Sequence, residues 1–73
     1  MVYAGVDRIY TQEELMLFRR VFESAMASLP AKMRIDRNRS CVAYNLLACA
    51  ATGERDPVEL RVAALIDLQE AVA

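Results

Sequence analysis

Four cations stand close together near the middle of the chain: Lys32, Arg34, Arg37 and Arg39. Only Asp36 opposes them, so the stretch carries a local charge of +3. Cations at this spacing attract anions. The stretch also leads into a helix N-terminus, whose unpaired amides and dipole favour negative charge. Three uses follow from that chemistry. The arginines can sit in a solvated loop and pair with acids of this chain or of a second copy. They can dock an acidic protein surface. They can contact nucleic-acid phosphates. Counter-charge is present further along the chain, because residues 54–70 hold five acids against two arginines. The folded molecule is therefore expected to be polarised.

Other reactive groups are sparse. The chain has no histidine, which removes the commonest general base and the commonest metal ligand. Gly5 and Gly53 are its only glycines, so there is no glycine-rich phosphate loop. Its carboxylates fall at capping or helix-surface positions. Tyr3, Tyr10 and Tyr44 fit packing with a hydrogen-bonded hydroxyl. Cys41 and Cys49 lie eight residues apart. On one helix their Cα atoms would be ~12 Å apart, too far for a mutual disulfide. They read as small buried thiols of a reducing cytoplasm, and their spacing matches no zinc pattern. Catalysis, a metal and a cofactor are not expected.

The elements that position these residues are legible from capping signals and periodicity. Thr11-Gln12-Glu13-Glu14 has the form of a capping box, with Tyr10 and Leu15 placed for a hydrophobic staple. Leu15, Phe18, Phe22, Ala25, Met26 and Leu29 then recur at helical spacing, with Leu17 and Val21 on a flank. Pro30 stops the run. Asp36 is expected to cap the middle helix, and Gly53 to end it in a left-handed conformation. Asp56-Pro57-Val58-Glu59 opens the third helix, with Asp56 as cap and Pro57 at the first helical position. Val2, Ala4 and Val6 alternate around Gly5, so residues 1–10 read as an extended arm.

The middle helix is the unusual one. From Ser40 to Thr52 it carries no charge for 13 residues, whereas a surface helix needs a polar face. A run of that length is too short to span a bilayer, which takes ~20 residues, so no membrane role is expected. Either its neighbours and the arm wrap it fully, or one side meets another protein. Small residues such as Ala48 and Ala51 would permit close approach there. The short Gly53–Arg55 connection is compatible with a helix-turn-helix. Its second helix would start with Val58, Glu59 and Leu60, leaving only Arg61 to contact guanine, which makes a poor reader of DNA.

The segment Ala48 to Leu60, Ala-Cys-Ala-Ala-Thr-Gly-Glu-Arg-Asp-Pro-Val-Glu-Leu, resembles one in small uncharacterised bacterial helical proteins. There too an alanine-rich helix is followed by Gly-x-Arg-Asp-Pro and a leucine-rich helix. The resemblance implies a bacterial origin and a helical fold, and carries over no activity.

The expected fold is all-α: a three-helix compact domain over residues 11–73, preceded by a short extended arm at 1–10. The helices are expected at Thr11–Leu29, Arg37–Thr52 and Pro57–Val72. The expected core is Leu15, Phe18, Phe22, Met26, Leu29, Val42, Leu46, Leu47, Leu60, Ala64, Leu65 and Leu68. Three helices give each only two neighbours, so some apolar surface should be left over. Tyr44, Ala48, Ala51, Val58, Val62 and Ile66 are the expected interface of a homodimer. The function expected is a cytoplasmic, self-associating interaction or regulatory module. The alternative is nucleic-acid binding through Lys32–Arg39.

Overall fold

The computed structural model describes residues 10–68 of the chain. The expected arm, Tyr10 excepted, and the expected helical turns beyond Leu68 lie outside the described residues. Three α-helices and one 3₁₀ turn make up the described chain, and no strand occurs within it.

Helix α1 spans Gln12–Ala27 and starts as its capping box dictates. The Glu14 amide donates to Thr11 Oγ1 at 3.1 Å, and the Thr11 amide donates to Glu14 Oε1 at 2.8 Å. A single 3₁₀ turn, Ala31–Met33, follows Pro30. Helix α2 spans Asp36–Ala50. Its cap is Ile35 rather than the expected Asp36. Ile35 is extended, and its carbonyl accepts the first helical bond, from Arg39 N–H at 2.9 Å. Asp36 is instead the first helical residue, where its charge still favours the helix dipole. Gly53 has φ of +102°, and a Cβ there would meet nothing within 4 Å. Backbone conformation, not space, makes glycine suitable at this position.

Helix α3 spans Pro57–Ala64, with the Val58 amide donating to Asp56 Oδ1 at 2.8 Å. It is much shorter than the expected Pro57–Val72. The chain turns over Leu65–Asp67, and Asp67 takes φ of +63°, a left-handed conformation that aspartate tolerates. Asn45 of α2 holds the turn. Its Nδ2 donates to the Ile66 carbonyl at 2.8 Å and to the Ala64 carbonyl at 3.4 Å. Leu65 and Leu68 pack against the core from the turn as they would from a helix, so their spacing hides the break.

The core is Phe18, Val21, Ala25, Met26, Leu29, Val42, Leu46, Ala50, Leu60 and Ala64. Phe22, Leu47, Leu65 and Leu68 pack against it half-buried. Two expectations fail. Leu15, expected in the core, is 51% exposed. The Phe18 ring is covered instead by Tyr10, edge-on at 5.0 Å between centroids, and by Arg55. Val21, expected on an outer flank, is buried at 4% exposure because α3 packs on that side of α1. The one buried polar side chain among the described residues is Asn38, whose Nδ2 donates to the Met33 carbonyl at 2.7 Å and joins the 3₁₀ turn to α2.

Arg55 binds all three helix ends together. Its Nε and Nη2 donate to Glu14 Oε2 at 3.0 and 2.8 Å, while its Nη1 donates to the Ala50 and Glu54 carbonyls at 2.8 and 2.7 Å. The guanidinium also lies 5.3 Å from the Phe18 ring centroid and 5.7 Å from that of Tyr10, within cation–π range. The Thr11 amide and then the Arg55 guanidinium hold the Glu14 carboxyl below its usual 4.5, and burial opposes them.

Phe18→Ala is expected to destabilise by roughly 3–5 kcal/mol, which in a domain of this size approaches complete unfolding. Leu15→Ala should cost far less, and chemical denaturation of both variants checks the difference. A pH series tests the Arg55 tie. A depressed carboxyl pKa adds stability above its unfolded value, and that stability is lost as pH falls through the folded value. The melting temperature of the wild type should therefore exceed that of Glu14→Gln at neutral pH, with the gap shrinking below about pH 4.5. A gap that stays constant into acid would mean that the charge of Glu14 contributes nothing.

Candidate functional site

The basic stretch is divided between tasks. Lys32 lies in the 3₁₀ turn, Arg34 just after it, and Arg37 and Arg39 in the first turn of α2; all four are exposed. Arg34 Nη2 donates to the Ala27 carbonyl at 3.2 Å, at the last residue of α1. A cation placed there satisfies a carbonyl that has no partner within the helix and complements the negative helix end. Arg39 lies over Phe22, with its guanidinium carbon 5.5 Å from the ring centroid. Two of the four cations are thus turned onto α1.

The expected interface residues fall into two sets. Tyr44, Ala48 and Ala51 follow one face of α2 at four- and three-residue spacing. Tyr44 is 66% exposed, and the two alanines are half-buried. Val58 and Val62 sit one turn apart on α3, each 58% exposed, and Ile66 is exposed in the turn beyond. The Ile66 carbonyl accepts from Asn45 Nδ2 and, at 3.7 Å, from Cys41 Sγ. This fixes the end of the α3 strip against α2. Cys41 and Cys49 are free thiols, both half-buried.

A groove of about 310 Å³ runs between α1 and α3. Leu17, Val21, Pro57 and Val58 supply its apolar surface, while Arg20, Arg61 and Ser24 supply its polar atoms. No acid lines it. The sequence alone did not reveal this groove, since it exists only because α3 packs alongside α1. Its one advance signal is that Arg20 and Ser24 share a face of α1 with Leu17, at three- and four-residue spacing. Among the described residues, no cluster of cysteine and carboxylate side chains could hold a metal, and no helix is long and apolar enough to cross a membrane.

No family model, curated protein or solved structure matches this chain. The functional reading therefore rests on the surfaces themselves.

Arg34 and Arg37 of the basic stretch separate structural from surface roles. Arg34→Glu removes a carbonyl partner and places a negative charge at the negative end of α1. It should cost about 0.5–1 kcal/mol. Arg37→Glu should stay within about 0.5 kcal/mol of wild type, as ordinary surface changes do. Urea titrations of the two variants compare them, and equal midpoints would remove the capping role of Arg34.

Proposed function

We propose that the protein is a small helical interaction module that pairs with a second copy of itself, binding rather than catalysing. The observation that supports this most directly is the outward apolar strip of α3. Val58 and Val62 stand in solvent although the same helix buries Leu60 and Ala64 completely. Tyr44 on α2 and Leu15 and Met16 on α1 add further exposed apolar area. Exposed apolar side chains one turn apart on a helix are suited to a contact with another protein. A domain with so few large core residues also gains stability by association, and two-fold pairing is the commonest solution. The free thiols Cys41 and Cys49 fit a reducing cytoplasm, and a bacterial source fits the Gly53–Pro57 segment. Nucleic-acid binding is the weaker reading, because Arg34 and Arg39 are engaged with α1.

Light scattering over a micromolar concentration series tests the proposal. The mass should rise from the 8.2 kDa of one chain towards twice that value. A mass of one chain at every concentration would reject self-pairing.

A further inference from the structure

Glu59 and Arg61 flank the apolar strip of α3 on opposite sides, and only one of those sides opens onto a groove. At 100° per residue, Val58 and Val62 point within about 40° of each other, and Glu59 and Arg61 fall about 80° to either side of their mean direction. Arg61 lines the α1/α3 groove together with Arg20, over an apolar floor of Leu17, Val21, Pro57 and Val58. The groove thus has two cations, no acid and room for a side chain. The acid that would complement it stands on the far flank of the same strip. Both Glu59 and Arg61 are exposed, and among the described residues neither has an ion pair within its own chain.

Resting on the self-pairing reading above, we infer that two copies dock with their α3 helices parallel, about a two-fold axis running along them. Val58 and Val62 of the copies meet, and Glu59 of each enters the groove of the other beside Arg61 and Arg20. The geometry follows from symmetry. An axis parallel to the helices brings unlike flanks together, so each Glu59 faces an Arg61. An axis perpendicular to them brings like flanks together, so Arg61 faces Arg61 and Glu59 faces Glu59, which repel. Flanking charges set orientation in paired helices in the same way.

Sedimentation equilibrium on the full chain tests this, with far-UV circular dichroism to confirm that each variant is folded. Glu59→Arg and Arg61→Glu should each raise the dimer Kd about tenfold, and Glu59→Gln should move it the same way by less. The double variant Glu59→Arg/Arg61→Glu exchanges the flanks and should return the Kd to within about threefold of wild type. Added salt should weaken the wild-type dimer. A wild-type dimer that the single changes leave unaffected would overturn this docking while self-pairing stands. So would a double variant as weak as the singles. A wild type that never dimerises removes both.

Discussion

The Arg55 guanidinium is where the three helix ends meet. It takes the Glu14 carboxylate from the start of α1, the Ala50 carbonyl from the end of α2 and the Glu54 carbonyl from the link to α3. Its flat face lies against the rings of Tyr10 and Phe18, which meet edge-on. A lysine could supply the charge but not this arrangement, since a compact ammonium has three donors and no plane to stack. The half-buried ion pair with Glu14 alone would contribute little. The weight of the site comes from several modest interactions sharing one ordered side chain, together with the cover it gives to Phe18.

Around that joint the fold is economical. Each helix buries one stripe, and the smallest residues, Ala25, Ala50 and Ala64, are among the most completely enclosed. Close approach of the backbones is gained at the expense of buried apolar area per residue. The larger side chains Val58, Val62, Ile66 and Tyr44 remain outside. The same economy shows in the basic stretch, where two of its arginines are turned back onto α1. These contacts fix where the two guanidinium groups lie and leave their charges in place.

What was legible in the sequence was the chemistry that acts over one turn. The Thr11–Glu14 box, the Asp56–Pro57 start and the left-handed Gly53 each need only residues a few positions apart, and each occurs where expected. What escaped depends on partners far along the chain. Leu15 and Val21 have the right type and spacing for either side of α1, and only the placement of α3 and Arg55 decides between them. The end of α3 is set by Asn45, 19 residues before Ala64, which no reading of the α3 segment could include. Asn38 was likewise invisible as a buried group until the 3₁₀ turn placed the Met33 carbonyl beside it. The outward positions of Tyr44, Val58, Val62 and Ile66 were legible because each helix has only two neighbours to hide against.

The Arg55 joint also imposes an order on assembly. It bridges 41 positions of sequence, against 19 and 21 for the contacts of Asn45 that hold α3 to α2. Long closures carry the larger entropy cost and slow the steps that need them. A ribosome adding 5–20 residues per second delivers Arg55 roughly 2–8 s after Glu14. Until α2 emerges, α1 has 16 residues and no partner, near the length at which an isolated helix is only marginally populated in water. The start of the first helix to be synthesised is thus secured only after α2 is complete: Phe18 stays open to chaperones or to neighbouring chains until the guanidinium arrives, and Val21 until α3 follows it.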